Sequence, residues 1–394
     1  MRSRKLLNQF IIKTDFIIIA LTLLFFAAFI FKPFISFSLL FTLSFLYKDI
    51  INKILEPIAL IFVAFFYSTL TPFEDWNYYI ENFLNIKSFG LLAIFNQNFG
   101  KGLEFIYPTF MFIVGNITDF NPYALRFFTY LLIFSLLLYC LKPIEYRYKV
   151  ALFYISSLSI TCILTSSWYI RQVISILIFY VALEKRGTLK NLLFALSFFC
   201  HISSLANIIT YYIYLLLKSK KHRLKLTISL VLAFSIFIFF SMDFLLSYIE
   251  SRVNTHQNLE SSSLSLSILL ILLLNLLLIT VTNYLTRQKG RFIPFLTIKE
   301  YLMILVTTPF PTIPIRLGMI GFGFPVLLLL DFFKKHKENK QKNIIIIIFA
   351  LFNFIPTLYL LQMSSEGLNP LNFLNSNALN ISFFEILHLN LNDI

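Results

Sequence analysis

Charge is what this sequence has least of. Asp, Glu, Lys and Arg make up 13% of 394 residues, while 58% are hydrophobic and 18% aromatic. That balance excludes a water-soluble domain of this length, which needs a polar surface. Cysteine is nearly absent. The three present, Cys140, Cys162 and Cys200, all lie in apolar stretches, which excludes a disulfide framework and a cysteine-rich zinc site. No Asp-x-Asp occurs, and no His, Asp and Glu cluster has metal-ligand spacing, so no metal and no other cofactor is expected. Glycine numbers only 10 and proline 13, too few for a repetitive or low-complexity chain.

What is present is apolar length. Runs of about 20 apolar residues recur from end to end, and in lipid a helix is the simplest segment that satisfies its own backbone. The expected fold is all-α, a single multi-pass membrane domain over 1–394 with about thirteen transmembrane helices. The 33 Lys and Arg outnumber the 19 Asp and Glu, for a net charge of +14. Because the cations fall in short loops between spans, they read as topology signals facing anionic lipid, and no nucleic-acid partner is expected. The basic N-terminus, Met1 to Lys5, resembles a signal n-region. A second apolar segment follows at once, so it reads as an uncleaved first span.

In chain order, spans are expected at 15–32, 34–47, 54–71 and 123–141. Residues 73–121 form an external loop that includes a re-entrant or interfacial helix at 105–117. Basic loops then recur at Lys142, Arg147 and Lys149; at Lys185, Arg186 and Lys190; at Lys218 to Lys225; at Arg287 to Lys299; and at Lys334 to Lys342. Between successive loops the chain crosses out and back. The outer turns, at Thr165–Trp168, His201–Ser203, 243–264 and 308–315, are poor in Lys and Arg. The positive-inside rule places the N-terminus and these loops in the cytoplasm, and the polar tail 362–394 outside.

Polar groups inside such grease are costly and point to function. The pair Arg171-Gln172 opens one apolar helix, and His201-x-Ser203-Ser204 closes the next. Topology puts both at outer helix ends. Ser167, Arg171 and Ser175 share helical spacing, as do Ser197, His201 and Ser204, which predicts one polar face on each helix. Arg316 follows the helix-breaking stretch Thr308 to Pro314 and precedes Gly318, Gly321 and Gly323. An Arg on a first helical turn adds its charge to the helix dipole, which suits an anion. Asp75, Glu104 and Arg126 fall on the same external side.

Each of these residues also has a plainer reading. Arg171 can snorkel to the headgroups. His201, Ser203 and Ser204 can serve helix packing. Glu104 can cap a helix, Arg126 and Arg316 can anchor an interface, and Asp75 and Tyr79 can be loop structure. Tyr78, Trp76 and Trp168 can belong to an aromatic belt.

Taken together, the residues resemble the EpsG-like group of polysaccharide polymerases, which act like Wzy in O-antigen and capsule assembly. The resemblance covers roughly 70–330. It rests on Asp75 with Tyr78 and Tyr79, on Glu104 followed by Arg126, on Arg171-Gln172 with His201-x-Ser203 thirty residues after Arg171, and on Arg316 before a Gly-rich span. It implies a GT-C-like glycosyltransferase in the bacterial inner membrane. A growing glycan would move from undecaprenyl pyrophosphate onto the next lipid-linked repeat unit at the outer face. The partners would be that lipid-linked oligosaccharide, membrane lipids and a chain-length regulator.

Arginines can clamp a pyrophosphate leaving group through paired hydrogen bonds. Arg171, Arg316 and Arg126, with Gln172, are therefore the expected pyrophosphate ligands. Asp75, Glu104 and His201 are the candidates for the base that takes the acceptor's proton. Tyr78, Tyr79 and Trp168 could stack on sugars. Two other functions fit parts of the pattern. An O-antigen ligase would use a late external loop, here 243–264 with Arg252 and His256. A flippase for the lipid-linked unit would line a path across the membrane with charge.

Overall fold

The computed structural model describes residues 49–69, 74–90, 103–218, 266–286, 292–307, 318–336 and 338–365. The expected spans at 15–32 and 34–47, the turns 243–264 and 308–315, and the tail from 366 lie outside these residues. Among the described residues every regular element is a helix, fourteen in all, and none is a strand. This helical, apolar build is that of a membrane protein. The chain divides into two compact units.

The first unit holds residues 1–97, 108–168 and 340–394. Its described helices are α1 (Asp49–Thr69), α2 (Glu74–Phe89), most of α3 (Ile106–Thr118), α4 (Pro122–Cys140), α5 (Tyr146–Ser157), α6 (Ile160–Trp168) and nearly all of α14 (Asn339–Ser365). The start of α4 follows from local chemistry. Asn121 Oδ1 accepts from the N–H groups of Tyr123 and Ala124, at 2.8 and 3.2 Å, and Pro122 takes the first helical position, where no N–H is needed. Among the described residues α4 is the one helix long and apolar enough to cross a bilayer alone. Helices α5 and α6 meet that test together, bent by 66°. The bend has a cause. Ser157 and Ser159 turn their hydroxyls onto nearby carbonyls, and the Ser157 carbonyl accepts from the buried Tyr67 hydroxyl at 2.5 Å. The expected basic loop at 142–149 is shorter than anticipated. Arg147 and Lys149 lie in the first turn of α5, and buried Lys149 donates to Glu56 of α1. An ion pair within protein makes a buried lysine tolerable where a loop would have left it in water.

The second unit holds residues 98–107 and 169–339. Its helices are α7 (Ile170–Leu183), α8 (Gly187–Cys200), α9 (Ser204–Lys218), α10 (Leu266–Leu285), α11 (Phe292–Thr307), α12 (Met319–Gly323) and α13 (Pro325–Lys335). Helix α10 is built inside out by soluble standards. Leu270, Leu273, Leu277, Val281 and Tyr284 form its exposed stripe, while Asn275 and Thr282 are buried. An apolar outer face with polar groups turned inward suits lipid as the solvent.

The antiparallel pair α7 and α8 forms the centre of this unit. Ser175 Oγ donates to the Ser197 carbonyl and Ser197 Oγ to the Ser175 carbonyl, each at 2.8 Å. This reciprocal clasp uses two small residues so that the backbones approach closely. Phe179 and Phe194 stack beneath it, with ring centroids 5.5 Å apart. One end of the unit is basic. Lys334 pairs with Glu184 at the end of α7, and Lys190 donates to Tyr211. Arg171 sits at the opposite end of α7, about 20 Å away at 1.5 Å per residue.

Candidate functional site

The site is assembled at that opposite end, from three short pieces of the second unit. Helix α7 begins after Tyr169, which is not helical (φ −126°, ψ 46°), so Arg171 falls in the first turn. Helix α8 ends at Cys200, with His201 extended beyond it (φ −158°, ψ 127°). The Cys200 thiol reaches the Arg171 carbonyl at 3.4 Å and pins the end of α8 to the start of α7. The third piece is the segment before α3, held against α8 by Phe105 on Phe199 with ring centroids 4.9 Å apart. It carries Glu104.

Glu104 is the hub. Its carboxylate is buried and turns to α7 and to the 201–203 turn rather than to the start of α3. Arg171 Nη1 donates to Oε2, and the Ile202 N–H donates to Oε1 at 3.0 Å. His201 Nε2 lies 3.9 Å from the same Oε1. Two helix ends and a loop are therefore joined through one carboxylate. The Arg171 and His201 side chains keep 18% and 23% of their surface exposed, so both can meet a ligand, while Glu104 between them is 4% exposed and covered by its donors. On its other side, the imidazole is fixed by Ser203. The Ser203 N–H points at His201 Nδ1 at 3.2 Å, and Ser203 Oγ lies 2.7 Å from it.

The cluster suits an anion. The guanidinium is a planar fork of five donors that matches phosphate oxygens, and Glu104 fixes its plane. Beside it, across the same carboxylate, lies the His201 imidazole. The sequence model of the EpsG family matches residues 53–373, a range that spans this whole cluster. The chain belongs to the EpsG family. Membership supports a polysaccharide-polymerase-like, glycosyltransferase-type role in a membrane protein of polysaccharide biosynthesis. No curated protein and no solved structure matches the chain.

The other expected site residues of this EpsG-family chain are placed as follows. Gln172 is next to Arg171 but buried on the core side of α7. Arg126, Trp76, Tyr78, Tyr79 and Trp168 belong to the first unit. There, Arg126 is buried with its guanidinium 5.6 Å from the Trp76 ring centroid, and Trp76 Nε1 donates to the Tyr130 hydroxyl at 3.1 Å. Tyr79 is buried edge-on against Trp76, while Tyr78 is exposed. Asp75 lies in the first turn of α2, with its side chain outside the described residues. Arg316 lies outside them too. Among the described residues no group of three His, Cys, Asp or Glu could hold a metal.

Two expectations about the polar faces need correction. Ser167 does not share a helix with Arg171, because α6 ends at Trp168 and the chain breaks at Tyr169. Ser204 does not extend α8, because the turn at 201–203 intervenes and Ser204 opens α9. The polar face common to α7 and α8 is Arg171, Ser175 and Ser197.

A second buried acid was missed. Glu300, fully buried in α11, accepts from Lys299 at 2.7 Å and from the N–H groups of Ile320 and Gly321 at 3.0 and 3.2 Å. Lys299 also donates to Asn207 of α9 at 2.8 Å. Lys299 is thus part of a helix and not of the basic loop that begins at Arg287. The signal was available, since an adjacent Lys and Glu stand in the middle of the apolar run 292–307.

Proposed function

We propose that this protein is a polysaccharide polymerase that moves a growing glycan from a polyprenyl pyrophosphate onto a lipid-linked acceptor. Undecaprenyl pyrophosphate is the carrier, and the outer face of a bacterial inner membrane is the site of transfer. The observation that carries the reading is the joining of Arg171, His201 and Glu104 at the end of the second unit remote from its basic end. By the positive-inside rule that end faces outward. A polymerase needs its substrates on this side alone, whereas a flippase needs them on both.

The acceptor hydroxyl attacks the anomeric carbon, and the bond to the pyrophosphate oxygen breaks. Pyrophosphate is a good leaving group and needs no proton, so catalysis is stabilisation of the developing charge together with removal of one proton. In the resting site Arg171 and Glu104 neutralise one another. A pyrophosphate carries more charge than a carboxylate and matches the guanidinium fork, so it draws Arg171 away. Glu104 Oε2 then loses its strongest donor and takes the acceptor's proton. Binding the donor substrate thereby creates the base.

The test is complementation of a deletion strain with Arg171→Ala and Arg171→Lys, reading surface glycan length on gels. Arg171→Ala should leave single repeat units in place of long chains, with a loss of about 10²–10³-fold in polymerisation. Lysine restores the charge but not the fork and should rescue little. Surface glycan lost altogether would point to a flippase, and normal chain lengths would sink the site.

A further inference from the structure

Ser203 lies outside the set of residues first expected to touch substrate, and a serine before a helix usually caps it with its hydroxyl. Here the hydroxyl turns back to His201 Nδ1 at 2.7 Å, and the Ser203 backbone N–H aims at the same nitrogen at 3.2 Å. A backbone N–H can only donate. Nδ1 must therefore offer its lone pair, and a neutral imidazole whose Nδ1 accepts carries its proton on Nε2. Nε2 is the nitrogen on the Glu104 side, 3.9 Å from Oε1. The same turn gives its other N–H, from Ile202, to Glu104 Oε1 at 3.0 Å. Two successive backbone donors thus set the orientation of the carboxylate and the tautomer of the imidazole.

We propose that Ser203 is a positioning residue that locks His201 as the Nε2–H tautomer, so that His201 donates a hydrogen bond to the pyrophosphate and does not remove the acceptor's proton. The proposal rests on the polymerase reading for the identity of the anion. The tautomer itself does not depend on that reading. An imidazole with Nε2 protonated and Nδ1 engaged has no free lone pair towards the site, so it cannot act there as a base. It can add a donor beside the Arg171 fork. The proton from the acceptor is left to Glu104, the carboxylate of the same cluster.

The experiment is nitrogen NMR on full-length protein labelled with ¹⁵N-histidine in lipid nanodiscs. The chain has five histidines, and the His201 signals are those lost in His201→Asn. The expected spectrum shows a non-protonated Nδ1 and a protonated Nε2. A protonated Nδ1 in the unaltered protein overturns the proposal without touching the polymerase reading, which Arg171→Ala tests separately. Ser203→Ala keeps the N–H but removes the hydroxyl. With one of the two groups on Nδ1 gone, some Nδ1–H form should appear beside the Nε2–H form that the N–H still favours, and the loosened ring should lower polymerisation by about 10-fold, the scale seen when an orienting partner is lost. Ser203→Thr keeps the hydroxyl and should restore both signals and chains. If Ser203→Ala shifts the tautomer while chain formation stays normal, the positioning role is refuted. If the alanine and threonine variants lose activity equally with the tautomer unchanged, Ser203 is merely structural.

Discussion

Replacing Glu104 with glutamine changes the shape of the side chain very little and its bonding a great deal. The carboxylate serves two donors with two oxygens, Arg171 Nη1 on Oε2 and the Ile202 N–H on Oε1. An amide has one oxygen and one NH₂, so in either orientation one of these donors faces another donor. Breaking one partner of a fully buried ion pair costs about 3–5 kcal/mol. The Arg171 side chain is 18% exposed and can reach some water, which lowers the expected cost to about 2 kcal/mol. Arg171→Met leaves the carboxylate uncompensated and should cost a similar amount.

The double variant distinguishes a pair from two separate contributions. If the charges exist for one another in the resting fold, the double variant should cost about 2 kcal/mol rather than the additive 4, a coupling of about 2 kcal/mol. Cys140, Cys162 and Cys200 are all buried free thiols, so a thiol-reactive dye in detergent reads unfolding directly. Polymerisation should fail in all three variants, since Glu104→Gln removes the base, Arg171→Met the pyrophosphate ligand, and the double variant both, whatever its stability. Additive losses of stability would refute the pairing. A double variant that polymerises would refute the site.

Three further outcomes are expected. Glu300→Gln should destabilise by about 3–4 kcal/mol, because Lys299 and the N–H groups of Ile320 and Gly321 share one carboxylate with no exposure to water, and the same dye assay reads it. Gly115→Ala should cost about 1–3 kcal/mol, since a Cβ there would stand 2.4 Å from Cε1 of the Phe120 ring, and Phe120→Ala in the same chain should relieve most of the loss. Ser175→Ala and Ser197→Ala should each cost about 1 kcal/mol, and together less than their sum, because the two hydroxyls also meet each other at 3.3 Å and either substitution removes that contact; a double-mutant cycle on thermal unfolding checks this.

The parts of the site that follow from local rules were legible in the sequence. An arginine at the start of an apolar helix and a histidine at the end of the next are costly wherever they sit, and the alternation of basic loops gives them a common side. The structure puts Arg171 in the first turn of α7 and His201 just past α8, as that reasoning required. The helix between 122 and 140 was equally legible, because its length, its apolar run and its Asn-Pro start all agree. What failed was the assumption that spacing continues through a break. Ser167 and Arg171 are four apart, yet Tyr169 interrupts the helix between them; the outer turn expected at Thr165–Trp168 is instead the last turn of α6, and the break falls one residue later, with no proline or glycine to mark it.

Pairing across long separations was the other blind spot, and the reason is physical. Glu104 precedes Arg171 by 67 residues, so no periodicity links them. A carboxylate before an apolar helix looks like a cap whether it caps or not. Glu300 was hidden differently. Its neighbour Lys299 follows Arg287, Lys289 and Arg291 closely enough to be counted with them as loop, although the segment from 292 is apolar. The cost argument applied to Arg171 applies with more force to Lys299 and Glu300, which lie mid-helix, where neither side chain can snorkel easily. Both buried acids obey one rule that sequence can supply. A carboxylate in an apolar run must find donors for both oxygens, and where its own helix offers none, backbone N–H groups at a break elsewhere are the available supply. Glu104 takes Ile202 at the turn between α8 and α9, and Glu300 takes Ile320 and Gly321 at the start of α12. A buried acid within or just before an apolar helix therefore predicts a helix break in a distant one, and the candidates for that break are the short polar interruptions, such as His201–Ser203, that spacing alone leaves unexplained.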